Sequence, residues 1–198
     1  MIGIVDYKMG NIQSIRNALE KIGLESFVSD NPDKLVSAEA LMLPGVGAAG
    51  DAMRNLKQKT LDSFIINIAK EKPVLGICLG MQILFDKSEE GETDCLGIIK
   101  GRVKKFSRTV KIPQIGWNEV AFSKNKLFEG MNSSQEFYFV NSFYCEPDDK
   151  DLIAGESEYG IKFCSVVQMG NVTGFQFHPE KSGEWGLKLL DNYFKLVL

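Results

Sequence analysis

Residues 73–82 read Pro-Val-Leu-Gly-Ile-Cys-Leu-Gly-Met-Gln and carry the strongest fold signal in the chain. The first five residues are typical of a buried strand, and the residues from Leu79 onward favour a helix. A tight turn from strand to helix needs small residues on both sides, and Gly76 and Gly80 supply them. The segment therefore predicts a strand, a sharp turn that carries Cys78, and a helix.

The first half of the chain repeats this order of strand and helix. Short apolar runs alternate with segments whose apolar residues recur at helical spacing. The predicted strands are 2–6, 24–28, 40–43 and 73–77, and the predicted helices begin near residues 12, 32, 51, 61 and 79. Asn11 and Asn31 are placed to cap the first two helices. Such alternation usually gives a parallel sheet with helices on both faces.

After about residue 95 the pattern changes to short strands separated by turn residues. The predicted strands are 97–106, 116–122, 137–140 and 161–177, the last interrupted by a turn at 170–171. Ser182 is predicted to cap a final helix. The residues of that helix predicted to face the core are Trp185, Leu187, Leu190 and Phe194. We therefore predict one α/β domain, residues 1–198, with a mixed sheet and a β-rich second half.

Composition limits the possible functions. Apolar residues at 44% and charged residues at 25% are typical of a globular protein. The net charge of −3 gives no electrostatic reason to expect nucleic acid or an anionic membrane surface as a partner. The longest apolar run, 64–69, is far below the roughly 18 residues of a membrane span. Without a signal segment or a CxxC pair, we expect a cytoplasmic protein with reduced thiols.

Cys78 is the candidate nucleophile. It occupies the place of the serine in a nucleophile elbow, and we expect it to be exposed at the carboxyl edge of the sheet, where the helix N-terminus favours a thiolate. A cysteine nucleophile usually needs a base, and the only histidine is His178. Residues i and i+2 of an extended chain point the same way, and Pro179 restrains the backbone, so Glu180 is predicted to turn back and accept a hydrogen bond from the imidazole. The alternative for Cys78 is a packed core cysteine, and the alternative for His178 is a surface or hydrogen-bonded core histidine. The presence of both the elbow and the histidine favours catalysis.

A glycine-rich loop follows the third predicted strand. Residues 43–50, Leu-Pro-Gly-Val-Gly-Ala-Ala-Gly, contain G-x-G-x-x-G, but a dinucleotide-binding loop normally follows the first strand and is answered by an acidic residue about 20 residues later. We predict instead an oxyanion hole, in which a backbone N–H of Val46 or Gly47 joins that of Leu79. Gln82, one helical turn after the cysteine, is a candidate substrate contact, with a solvated surface glutamine as the alternative.

Together PGVG, GICLGMQ and HPE resemble the class I glutamine amidotransferases, and the resemblance spans the whole chain. It implies a flavodoxin-like α/β fold with a mixed, mostly parallel central sheet flanked by helices. It also implies that Cys78 attacks the amide carbon of L-glutamine and that His178 protonates the departing ammonia. His178 then activates the water that hydrolyses the thioester, while Glu180 orients its ring. We expect neither a cofactor nor a metal.

Within this family, four segments look like the glutaminase subunits of imidazole glycerol phosphate synthases. They are Asp6-Tyr-Lys-Met-Gly-Asn11, PGVG, Pro113-Gln-Ile-Gly-Trp-Asn118 and His178-Pro-Glu-Lys-Ser182. The residues that would line the glutamine pocket are Gly47, Gln82, Ser142 and Phe143. Asn11 and Lys181 would face a cyclase subunit, a (β/α) barrel that forms a heterodimer with the chain and uses its ammonia in histidine biosynthesis.

Two departures from the family pattern bear on the ammonia acceptor. The chain has Tyr138-Phe-Val-Asn-Ser-Phe143 where the family commonly reads YFVHSY, and Lys8 where glycine is common. One alternative is therefore a paralogous glutaminase that serves a sugar-amidating ligase of surface-polysaccharide biosynthesis, or another ammonia-accepting synthase. Others are a different cysteine hydrolase on the same fold, such as a peptidase or γ-glutamyl hydrolase, and a non-catalytic regulatory domain.

Overall fold

Thirteen strands form one hydrogen-bonded sheet in the computed structural model, which describes residues 1–123 and 125–198. The strands are β1 (Ile2–Val5), β2 (Ser26–Ser29), β3 (Ala40–Leu43), β4 (Val74–Ile77), β5 (Lys87–Ser88), β6 (Thr93–Asp94), β7 (Gly101–Lys105), β8 (Gln114–Phe122), β9 (Ser134–Asn141), β10 (Phe143–Pro147), β11 (Ile153–Glu158), β12 (Lys162–Met169) and β13 (Val172–Phe175). The α-helices are α1 (Ile12–Lys21), α2 (Pro32–Leu35), α3 (Ala49–Gln58), α4 (Leu61–Ile68), α5 (Leu79–Gln82) and α6 (Gly183–Val197).

The parallel part of the sheet consists of β2, β1, β3, β4 and β13 in that spatial order. Counted along the chain these five strands are ordered 2-1-3-4-5, which is the flavodoxin-like order. In such sheets, ligands bind beyond the carboxyl ends of the strands. The predicted fold class is confirmed, and its topology places the ends of β3, β4 and β13 side by side.

The second half of the chain extends this sheet with antiparallel strands. β12 pairs with β13, β10 and β11, and β8 pairs with β11 and β9. The predicted strand 97–106 forms only from Gly101, because the N–H groups of residues 97–99 donate to the carbonyls of Leu84 and Phe85. β10 and β11 were not predicted, since their charged residues and Pro147 weaken the strand pattern and cross-strand pairing decides instead.

Helices cover both faces of the sheet. Side chains alternate along a strand, so β3 sends Ala40 and Met42 into one core and Leu41 and Leu43 into the other. The first core also contains residues of α1 and α6, and the second contains residues of α2, α3 and α4. Because both faces are buried, the central strands are apolar throughout, as the sequence indicated.

The first two helix caps are placed as predicted. The side chain of Asn11 accepts a hydrogen bond from the N–H of Ser14 at 3.2 Å, and that of Asn31 accepts from Asp33 at 2.8 Å. These bonds satisfy backbone donors that have no partner inside the helix. In the described parts of the chain, no helix combines the length and apolar character that a membrane crossing requires.

The final helix differs from its prediction at two positions. Ser182 precedes α6 but does not cap it, because its hydroxyl donates to the carbonyl of His178 at 2.6 Å and accepts from the N–H of Tyr138 at 3.0 Å. Trp185 is 40% exposed rather than inward. The buried stripe of α6 consists of Gly186, Leu189, Leu190, Asn192, Tyr193 and Phe194, and Trp185 lies outside it. Leu187 is only partly buried.

The turn between β4 and α5 is packed closely enough to exclude a side chain at either glycine. A Cβ on Gly76 would lie 2.6 Å from the carbonyl oxygen of Gly80. A Cβ on Gly80 would overlap the carbonyl oxygen of Leu43 at the end of β3. The predicted need for small residues around this turn is therefore met by direct contact between backbones.

Replacing Gly80 with Ala should destabilise the protein by about 3 kcal/mol, because the overlap with the Leu43 carbonyl forces the backbone to move. Gly50→Ala is the matched control. Gly50 lies inside α3, where alanine is the better helix former and a Cβ would have an ordinary 3.4 Å contact with Thr93. Urea unfolding measures both variants, and equal stability of the two would contradict the packing described for the turn.

Candidate active site

Cys78 sits at the sharpest bend of the chain. Its φ of 53° and ψ of −110° lie outside the regions that residues with a side chain favour. The conformation is held by a 2.7 Å hydrogen bond from its N–H to the carbonyl of Phe175 in β13 and by the two glycine contacts of the turn. Such backbone strain concentrates at functional sites, where the surrounding structure holds it in place.

A pocket of about 310 Å³ opens at Cys78. It brings together most of the residues singled out in the sequence, namely Val46, Gly47, Cys78, Leu79, Gln82, Ser142, Phe143, His178 and Lys181. Cys78 does lie at the carboxyl edge of the sheet, but the expectation that it is exposed is wrong, because only 6% of the residue is accessible. Val140 forms part of the wall beside the sulfur.

Asn11 lies outside this pocket. Its side chain is engaged in capping α1, and the residue is exposed at the surface. Lys181 is also exposed, but it lines the pocket. The two residues assigned to a partner interface therefore occupy different surroundings, and only Lys181 adjoins the candidate nucleophile.

His178 and Glu180 are in direct contact. The imidazole Nδ1 lies 2.8 Å from a carboxylate oxygen of Glu180, and both side chains are only 3% exposed. The backbone after His178 is not extended, because Pro179–Lys181 forms a 3-10 turn, as the expected turning back of Glu180 requires. That turn brings the carboxylate back to the ring. The backbone of His178 is fixed separately, through its N–H to the carbonyl of Tyr138 at 2.9 Å.

The surroundings of His178 favour its charged form. Burial opposes the imidazolium, but hydrogen bonds to Cys78 and to Glu180 outweigh it and raise the pKa of His178 to about 10. The ring is thus held by Glu180 in the same pocket as the sulfur, where a protonated imidazole can serve as a proton donor. The helix α5 is a single turn, so its dipole stabilises negative charge on Cys78 less than the sequence suggested.

The glycine loop packs directly on the turn. A Cβ on Gly45 would lie 2.6 Å from the N–H of Gly80, so the loop can approach α5 only with glycine at this position. Within the described residues, the N–H groups of Val46, Gly47 and Leu79 donate no hydrogen bond to another backbone group. These N–H groups thus belong to residues that line the pocket and have no backbone partner, which leaves them available to an oxyanion.

The dinucleotide interpretation of this loop also fails on structural grounds. The phosphate of a dinucleotide would bind the N–H groups at the start of the following helix. At the start of α3, the N–H of Ala49 already donates to a carboxylate oxygen of Glu90 at 2.7 Å. A negative charge from the protein itself therefore occupies the position that a phosphate would need.

Gln82 is buried, so the alternative of a solvated surface glutamine is wrong. Only 5% of the residue is exposed. Its Nε2 donates to the carbonyl of Phe143 at 3.1 Å and to the Oε1 of Gln176 at 3.0 Å. Because the amide nitrogen is already engaged, the oxygen of Gln82 is the group left to face a ligand.

Glu90 and Gln176 were not found from the sequence, and Asn141 was singled out there only as a departure from the family pattern. Glu90 and Asn141 line the pocket, and Gln176 is buried against Cys78 with its Nε2 3.8 Å from the sulfur. Glu90 follows another glutamate in a polar segment and gave no signal. Gln176 did give one, since it is a polar residue within the apolar run that leads to the histidine.

Comparisons with known proteins agree with this geometry. A family model described as glutamine amidotransferase class-I matches residues 3–196. Imidazole glycerol phosphate synthase subunit HisH of Dehalococcoides mccartyi is 47% identical over 201 residues, covering 100% of this chain and 98% of that protein. Subunit HisH 1 of Methanococcus maripaludis is 48% identical, covering 100% of both. The structure of PurLQS from Thermotoga maritima has the same fold, with a TM-score of 0.78 at 22% identity over 100% of this chain and 98% of that one.

The proton on His178 can be followed directly, because the chain contains one histidine. A raised pKa means that the ring keeps its proton above the ordinary value of 6.5 and loses it only as the pH rises through about 10. Cys78→Ala and Glu180→Gln should each lower the midpoint, by roughly one to three pH units, because each removes a side chain that raises the pKa of His178. NMR titration of the labelled imidazole measures this change, with Glu184→Gln, at an exposed residue of α6, as the control. A wild-type midpoint at or below 6.5 would contradict the assignment.

Proposed function

The chain belongs to the class I glutamine amidotransferases, and we propose that it is the glutaminase subunit of an imidazole glycerol phosphate synthase. The resemblance noted in the sequence is confirmed by the family match, and with it the enzyme class, which uses a cysteine nucleophile. The observation that carries the proposal is the turn that places Cys78 in one pocket with the only histidine, whose ring is held by Glu180. The name shared by the relatives favours a role in histidine biosynthesis.

The proposed reaction needs only groups of this chain. The Cys78 thiolate attacks the amide carbon of L-glutamine, and the N–H groups of Leu79 and of Val46 or Gly47 hold the negative charge that develops on the oxygen. His178 gives its proton to the departing ammonia, which leaves a thioester on the sulfur. The neutral imidazole then removes a proton from the water that hydrolyses the thioester and releases glutamate.

Glu90 suits recognition of a free amino acid. It is the carboxylate among the residues that line the pocket, and its Oε2 is fixed by the N–H of Ala49. The other oxygen and the amide oxygen of Gln82 can accept hydrogen bonds from the α-ammonium group of glutamine. Ser142 and Phe143 form the facing wall. A residue inside a peptide has no ammonium group, so this arrangement favours glutamine over a peptidase substrate.

An apolar surface on β8 and β9 adjoins the pocket. Ile115 is 64% exposed and Trp117 55%, and across the strands they pair with Val140 and Tyr138, respectively. Val140 also lines the pocket. An exposed apolar patch of this kind indicates a binding surface for another protein.

We assign this apolar surface to the ammonia-accepting partner. Ammonia released into bulk water would be protonated and lost, so a subunit that covers the pocket and excludes water is required. The relatives are named as subunits of a synthase, and the partner we propose is its cyclase subunit, a (β/α) barrel, in a cytoplasmic heterodimer. Lys181 borders the pocket on the same side, whereas the exposed Asn11 would contact the partner from the α1 side.

The departures from the family pattern favour no different acceptor. Lys8 has a φ of 64°, which explains why glycine is common there, and the conformation is held by a 3.0 Å hydrogen bond from its N–H to Asp6. Asn141 and Phe143 are part of the pocket wall, and the Asn141 amide donates to the Phe143 carbonyl at 3.0 Å. Capture of a sugar-amidating ligase in place of the cyclase subunit would contradict this assignment.

Replacing Cys78 with Ala should lower glutamate release in the presence of the cyclase subunit at least about a thousandfold, because the nucleophile is lost. Glu90→Gln should instead raise KM for glutamine with a small change in kcat, since it removes a charge that contacts substrate and not the reacting bond. Steady-state assays of glutamate measure both. Undiminished release by the Cys78 variant would reject the glutaminase, and a γ-glutamyl peptide used faster than glutamine would favour the hydrolase alternative.

Trp117→Ala should weaken binding of the cyclase subunit about thirtyfold or more, because exposed tryptophans at the centre of an interface contribute strongly to affinity. Val36→Ala is the control, since Val36 is 49% exposed after α2, away from the pocket. Isothermal titration of the two subunits measures the dissociation constants. Equal affinity of both variants would place the partner elsewhere, and no binding of any form to the cyclase would direct attention to another synthase.

A further inference from the structure

Gln176 is a fully buried amide that the mechanism above does not use. It follows β13, none of its surface is exposed, and its backbone N–H donates to the carbonyl of Ser165 at 2.9 Å. Its side chain lies between Gln82 and Cys78. A buried amide costs stability unless its polar atoms are bonded, so the direction of its hydrogen bonds decides what it does to the sulfur.

The hydrogen bonds around Gln176 can run in only one direction. A backbone carbonyl only accepts, so the Phe143 carbonyl requires that Gln82 present its Nε2. The same Nε2 donates to Gln176 at 3.0 Å, which fixes the oxygen of Gln176 on that side. The NH₂ group of Gln176 must therefore face Cys78, where it lies 3.8 Å from the sulfur. The Phe143 carbonyl thus sets the orientation of two successive amides.

This direction matters most when Cys78 has lost its proton. As a thiol, the sulfur can donate to the carbonyl of Val140 at 3.7 Å while it accepts from Gln176. Once its proton is on His178, the sulfur can only accept, and the Val140 carbonyl no longer helps it. The N–H groups of His178 and Gln176 are then the donors at the negative sulfur. Bonds to a charged acceptor are roughly twice as strong as neutral ones.

We propose that Gln176 is a further catalytic residue, whose side-chain N–H stabilises the Cys78 thiolate, and that Gln82 is a positioning residue that holds Gln176 in this orientation. The proposal rests on the proposed function only in taking the sulfur of Cys78 as the nucleophile. It also gives Gln82 two roles, since its nitrogen orients Gln176 while its oxygen faces the pocket.

Alkylation of Cys78 by iodoacetamide tests the proposal without glutamine or partner. In Gln176→Met, a variant of similar volume, the midpoint of the pH–rate profile should rise about one pH unit and the rate at a pH below the midpoint should fall about tenfold, because one charge-assisted hydrogen bond is lost. Gln82→Met should shift both in the same direction by less, about threefold in rate, since the amide of Gln176 then loses its orientation. Site-resolved mass spectrometry gives the rate for each cysteine.

Two controls separate a specific effect on Cys78 from a general loss of structure. Cys95 is half-buried, burial raises its pKa to about 11, and its alkylation should not change. Gln168→Met on β12 removes a partly buried amide away from Cys78 and should match the wild type. If Gln176→Met does not fold, Gln176→Glu keeps the shape of the side chain and should also move the midpoint upward, because a carboxylate repels the thiolate.

A wild-type profile in a folded Gln176 variant would overturn the proposal. A rise in the midpoint that is shared by Gln168→Met would overturn it too, because the effect would then not depend on contact with the sulfur. Failure of the proposed glutaminase would look different. In that case the wild-type chain would release no glutamate with the cyclase subunit, while the alkylation profiles would still respond to Gln176.

Discussion

The strained turn at Cys78 holds its shape because two glycines let three backbone segments touch. Gly76 lies against the start of α5, and Gly80 lies against the carbonyl of Leu43 at the end of β3. No side chain fits in either place, so the position of the sulfur is set by the sheet itself. A residue in an unfavourable φ/ψ region persists only where its surroundings hold it, and here they are the central strands of the fold.

The other groups of the site reach the sulfur because β13 lies beside β4. The two strands are parallel, with Phe175 opposite Ile77, so the residues that follow each strand emerge at the same edge of the sheet. Gln176 and His178 follow β13, and the turn with Cys78 follows β4. A pair of neighbouring strand ends therefore brings together the proposed nucleophile, the proposed base and a buried amide from segments about a hundred residues apart in sequence.

The antiparallel half of the sheet forms a wall of the pocket and the apolar surface beside it. Residues 140–143, which join the end of β9 to the start of β10, lie beside the sulfur and supply the carbonyl that orients Gln82. The same strand β9 presents Val140 and Tyr138 to solvent beside Trp117 of β8. The surface that we assign to the partner is thus built on strands that also line the pocket. A partner that binds β8 and β9 would therefore lie beside the pocket opening.

The sequence alone determined the features that depend on neighbouring residues or on the amino-acid composition. Neighbouring residues specify the glycine-flanked turn, the helix caps at Asn11 and Asn31, and the alternation of strands and helices. The composition shows that the chain has one histidine. Tertiary structure alone decided the burial of Cys78, the hydrogen bond from Ala49 that fixes one oxygen of Glu90, and the direction of the Gln176 amide. The physical reason is the same in each case. Burial and hydrogen-bond direction are set by partners from distant segments, and no local pattern specifies which segments will meet.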